Sequence, residues 1–86
     1  SYDDSAISKI INTGGIVALC SQLATNTDPI IDICITALGN MAKNAGAQDA
    51  IFSCGAIDVL AKLLTSSNQM ICEKATWLLS ILSFNV

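Results

Sequence analysis

The sequence predicts an all-α solenoid. Three features of it say so: the chain repeats itself at a period of 41 residues, the repeated positions are apolar at helical spacing, and glycine, proline and small polar residues divide it into helix-length segments. Shifting the 86-residue chain by 41 lines up Thr13-Gly14-Gly15-Ile16-Val17-Ala18-Leu19 with Cys54-Gly55-Ala56-Ile57-Asp58-Val59-Leu60. The register then holds without gaps. Identical pairs are Ile10/Ile51, Gly14/Gly55, Ile16/Ile57, Leu19/Leu60, Leu23/Leu64, Ile30/Ile71, Leu38/Leu79 and Asn44/Asn85. A period near 40 with apolar residues at three- and four-residue steps indicates a solenoid of two or three helices per unit, with residues 1–45 as the first unit and 46–86 as the second.

Punctuation within the units favours three helices each. Asp4 or Ser5 can cap a first helix over residues 5–12, which stops at Gly14-Gly15, where glycine can adopt the left-handed conformation that ends a helix. A second helix is expected over residues 16–24. Thr25-Asn26-Thr27-Asp28 reads as a loop, with Asp28 as a cap and Pro29 in the first turn, where its missing N–H costs nothing. The third helix covers residues 29–43 and ends at Ala45-Gly46. The second unit repeats the plan over residues 48–53, 56–65 and 69–84, with Asn68 as the cap of the last helix. Ile30, Cys34, Ala37, Leu38 and Met41 form the expected core stripe of the first unit's third helix. Ile71, Ala75, Leu78, Leu79 and Leu82 form that of the second.

Composition narrows the function. Apolar residues are 52% of the chain and charged residues 13%, about half the charged share of an ordinary domain. Units that expect neighbours account for such an excess, whereas a membrane span does not, since Asp32, Ser80 and Ser83 interrupt the apolar stretches. Two units fall short of the roughly three that make a robust solenoid, so the isolated chain is expected to be marginally stable and to self-associate. With net charge −3, four scattered lysines and neither Arg nor His, the chain lacks the basic patch that phosphate neutralisation requires, so no nucleic-acid partner is expected. Catalysis lacks candidates too: no His, no paired carboxylates on one helical face and no glycine-rich phosphate loop. No enzyme, cofactor or metal site is expected. Cys20, Cys34, Cys54 and Cys72 form no close pair, and they read as four reduced, mostly buried thiols in a cytoplasmic or nuclear protein.

The second unit's Gly55-Ala56-Ile57-Asp58-Val59-Leu60-Ala61-Lys62-Leu63-Leu64 and the first unit's Cys34-Ile35-Thr36-Ala37-Leu38-Gly39-Asn40-Met41-Ala42 resemble the second- and third-helix patterns of armadillo repeats. The glycine before the second helix argues against HEAT repeats, the main competitor. The resemblance implies a right-handed superhelix of three-helix repeats, part of a longer array, whose third helices line a concave groove that holds an extended partner segment. It would then be the binding module of a scaffold or adaptor. In importin-alpha-like members that groove is a ladder of Trp and Asn four positions apart. Here Trp77 is followed by Ile81, and Asn40 is preceded by Thr36, so each rung is half present. Two alternatives stand beside the binding module: a purely structural, self-associating segment, and non-binding repeats of such an import receptor.

The candidate binding face comprises Asp32, Ile33, Thr36 and Asn40 of the first unit beside Glu73, Lys74, Trp77 and Ile81 of the second. Two carboxylates, an amide and an indole against one lysine suit a neutral to mildly basic extended segment. Trp77 has two readings, an anchor in the groove or packing against the next repeat's third helix.

Overall fold

The computed structural model describes residues 4–25 and 27–84, with the side chains of Asp4 and Phe84 left aside. Among the described residues the chain is entirely helical, without strands: α1 (Asp4–Asn12), α2 (Gly15–Thr25), α3 (Asp28–Met41), α4 (Ala45–Ser53), α5 (Ala56–Leu63) and α6 (Gln69–Phe84). Each of α4, α5 and α6 begins 41 residues after α1, α2 and α3 respectively, so the sequence period is also the period of the helix starts. No single helix among the described residues is long and apolar enough to cross a membrane.

The corners between the first two helices of each unit depend on glycine. Gly14 and Gly55 both take φ +80°, a left-handed backbone that side chains with a Cβ rarely adopt, and each lets the chain turn from one helix into the next within two residues, α1 and α2 meeting at a bend of 67°. At the end of α1 the Thr13 hydroxyl donates to the Lys9 carbonyl at 3.0 Å and the Gly14 amide to that of Ile11 at 3.1 Å, so the last turn keeps its acceptors satisfied.

Several expected boundaries move, each for a local reason. The cap expected at Asp4 or Ser5 gives way to a helix that already includes Asp4, and whatever caps it lies outside the described residues. Asp28 is the first helical residue of α3 rather than its cap; Thr27 takes the cap position in extended backbone, and the Asp28 carboxylate favours the positive end of the helix. Ala45-Gly46, read as a stop, lies inside the first turn of α4. Asn44 causes this, since its side chain accepts from the Ala47 amide at 3.0 Å and so satisfies one of the first-turn donors. Asn68 caps α6 as expected, its Oδ1 accepting from Met70 N at 2.9 Å. Its Nδ2 also donates to Asp28 Oδ2 at 2.9 Å, tying the starts of α3 and α6 together.

The units pack chiefly through α3 against α6, with α1 and α2 against α4 and α2 against α5. One continuous core results, in which Leu23, Ile35, Leu38, Met41, Ile51, Leu60, Leu78 and Leu82 are almost fully buried. Burying each such side chain contributes about 1.5–3 kcal/mol. Ile30 departs from the expected stripe: it is 40% exposed, and Ile31 and Ile35 do the burying with Cys34, Leu38 and Met41. Gln48 is the one buried polar residue among those described, and its Nε2 donates to the Ala42 carbonyl, satisfying an acceptor at the end of α3.

Two of the four cysteines also depart from expectation. Cys20 and Cys54 form a disulfide, their Cα atoms 6.8 Å apart, that joins α2 to the C-terminal end of α4. Their separation of 34 residues says nothing of proximity, because only the stacking of one unit on the other brings α2 beside α4. Cys34 and Cys72 are free.

Candidate functional site

Because α3 and α6 run side by side, their outward faces form one surface. On it, Thr36 sits in the middle of α3, where its hydroxyl donates to the Asp32 carbonyl one turn earlier at 2.9 Å. The same oxygen accepts from Lys74 Nζ of α6 at 3.0 Å. Lys74 Nζ also lies 3.5 Å from Asp32 Oδ1 and 5.7 Å from the centre of the Trp77 ring, within cation–π range. One lysine thus draws both helices into a single polar cluster.

The Asp32–Lys74 pair is partly open to water, the side chains being 31% and 36% exposed, so its attraction is worth only about 0–1 kcal/mol. Asp32 Oδ1 itself is shielded from solvent and takes no hydrogen bond; the ammonium reaches it as a counter-charge only. Removing Lys74 would leave a screened carboxylate oxygen with nothing opposite.

Trp77 packs between the units and is still partly exposed. The outer end of its ring lies so close to Gly39 of α3 that a Cβ there would come within 2.1 Å of it, so the indole is part of the contact between units. It is also 38% exposed, leaving an edge for a ligand. The neighbour it packs on is the preceding unit.

Two shallow grooves flank this cluster. One, of about 350 Å³, is lined by Met70, Glu73, Lys74 and Trp77. The other, of about 250 Å³, is lined by Asp32, Ile33, Thr36, Ala37 and Asn40. Seven of the eight residues picked from the sequence therefore line one groove or the other, and the Lys74 contacts place the grooves next to each other. Ile81 lines neither; it is half-buried and packs against the core. The sequence reading missed Met70, which is 57% exposed, and its signal was its place one turn before Glu73 and Lys74 on the same helical face.

The surface mixes apolar, amide and charged groups. Ile33, 68% exposed, and Met70 bracket it with apolar area, Asn40 supplies an exposed amide, and Lys74 is engaged with Asp32 so that Glu73 carries the remaining charge. Residues 44–84 match the family model described as armadillo/beta-catenin-like repeat. No solved structure matches the chain.

Proposed function

From the match of residues 44–84 to the armadillo/beta-catenin-like repeat, we propose that this chain is a protein-binding segment whose α3–α6 face holds an extended stretch of a partner protein. The observation that carries the proposal is the polar cluster around Lys74 with exposed apolar side chains on either side: Ile33 toward α3, and Met70 and Trp77 on α6. Such a surface suits a backbone with alternating side chains, since amide and hydroxyl groups meet the main chain while the grooves take side chains.

The matching helix starts support reading residues 1–45 as a second three-helix repeat of the same kind, and the armadillo resemblance implies that such units stack into a right-handed superhelix. A scaffold or adaptor is the role that this reading favours, and the Cys20–Cys54 disulfide removes the reduced-thiol argument for a cytoplasmic setting. The partner segment would be neutral to mildly basic, because Asp32 is answered by Lys74 and Glu73 is not answered within the grooves. Acidic segments would be repelled.

A peptide library displayed in extended form and selected on the 86-residue chain tests this. Selected peptides should lose about 30-fold in affinity on Trp77→Ala and about threefold or more on Asn40→Ala, whereas Lys62→Ala, on α5 and outside both grooves, should change affinity by about twofold or less. Asn40 is exposed and makes the test independent of folding. Equal binding by all three variants, or selection of acidic peptides, would sink the proposal.

A further inference from the structure

The disulfide between Cys20 and Cys54 joins the two units, and each of its sulfurs has a place to rest when the bond is open. Cys54 is the C-cap of α4, and its counterpart at the same corner of the first unit is Thr13. There the Thr13 hydroxyl donates to the Ile10 carbonyl, three residues back, at 3.1 Å. Cys54 Sγ lies 3.2 Å from the Ile51 carbonyl oxygen, also three residues back. That oxygen is among the last acceptors of α4, which have no donor within the helix. A reduced Cys54 thiol therefore has the same acceptor that the hydroxyl has at the equivalent corner, already in place. Cys20, 5% exposed, belongs to the apolar core, where an uncharged thiol behaves as a small hydrophobe. One backbone thus serves both oxidation states.

The two sulfurs differ in access. Cys54 is half-buried, with Ser53 and Gly55 exposed on either side of it, whereas Cys20 is buried. We infer that the pair is a reversible redox latch between the units and that Cys54 is its exchange site, the position at which a low-molecular-weight thiol forms a mixed disulfide.

Opening starts when the thiolate of the small compound attacks Cys54 Sγ. A new S–S bond forms to Cys54, the bond to Cys20 breaks, and the Cys20 sulfur leaves with the electron pair and takes up a proton. A second thiolate then attacks the small compound's sulfur in the mixed disulfide, freeing Cys54 and leaving the small compound as its own disulfide. Two electrons have passed from two small thiols to the protein pair. With the small disulfide as oxidant the same steps run backward and close the bond. The closed latch encloses the whole of α3 in the loop between α2 and the end of α4. Opened, it leaves the units held by packing alone, Leu23, Ile51 and Leu60 among the core residues, so the fold persists while the junction parts more often. Neither cysteine lines a groove of the proposed peptide site, so this inference and that one stand or fall separately.

Incubation of the native 86-residue chain in mixtures of reduced and oxidised glutathione, followed by acid quenching, alkylation and peptide mass mapping, tests it. The pair should open in excess reduced glutathione and re-form in excess oxidised glutathione, with glutathione passing through Cys54 and not Cys20. Helical circular dichroism should be equal in the two states, while the slowest amides of α2 and α4 should exchange about a hundredfold faster in the open one. In the Cys20→Ala variant no second thiol displaces the adduct, so glutathione should stay on Cys54. In the Cys54→Ser variant, whose hydroxyl keeps the bond to the Ile51 carbonyl, Cys20 should remain unmodified while the chain is folded. Glutathione on Cys20 overturns the exchange site. A pair that opens only in denaturant, that loses its helices on opening or that does not re-form overturns the latch.

Discussion

The two halves of this molecule are near copies in sequence and unequal in burial. Leu38 is fully buried and its identical counterpart Leu79 only half-buried; Gly39 lies beneath an indole and its counterpart Ser80 is exposed. Helix identity, start and apolar spacing carry over from one half to the other, so they are local properties. What differs is which faces have a neighbour, and that decides how much each side chain contributes to stability. A repeat unit is thus a specification completed by the unit beside it.

Truncating the matched leucines gives the sharpest test of that contrast. Leu38→Ala should cost about 3–5 kcal/mol and Leu79→Ala about 2 kcal/mol or less, since a fully buried site leaves a cavity and a half-open one is refilled by water. In a domain of this size each kcal/mol moves Tm by about 4–8 °C, so thermal melts of the two variants should separate clearly. Equal losses would mean that the end face is already covered.

The disulfide should come next in size. Closing a loop of 34 residues between α2 and the end of α4 stabilises by about 3–4 kcal/mol on chain-entropy grounds. Reductant should lower Tm in the parent and leave the Cys54→Ala variant unmoved. Two free thiols should titrate in the denatured, unreduced chain, those of Cys34 and Cys72; four would show the sulfurs to be in contact but unjoined, and would restore the argument for a reducing compartment.

The pair Gly39 and Ser80 comes third. Gly39→Ala should destabilise by about 1–3 kcal/mol, because its Cβ must displace Trp77, and the Trp77 fluorescence should shift as the ring moves. Ser80→Ala should stay within about 0.5 kcal/mol of the parent. If both variants melt with the parent, the indole does not rest where it is described.

The smallest effect concerns the free thiols. Burial pushes the Cys34 thiol above the usual range for cysteine, because the thiolate would be poorly solvated. Cys34 should therefore label more slowly in the native state than half-buried Cys72, whose Sγ faces the Ser66 carbonyl at 3.0 Å. The sign for stability follows: the native state holds the Cys34 proton where the unfolded chain releases it, so this contribution is full below the ordinary thiol pKa and is lost as pH rises from there through the raised native one. A Cys34 that labels first would place α3 on the surface.

By itself the sequence determined the helical class, the 41-residue period and most helix starts, because these follow from local chemistry: glycine at the corners, proline and asparagine at the starts, apolar residues at three- and four-residue steps. It also marked seven residues that line the grooves, since positions beside a core stripe are readable from helical periodicity alone. Stacking decided the rest. Only the approach of α2 to α4 could join Cys20 to Cys54, and only the contact of α6 with α3 could put Trp77 on Gly39 and Lys74 on Asp32. Each is a relation between residues of different units, and periodicity within a helix says which way a side chain points but not what stands there to meet it.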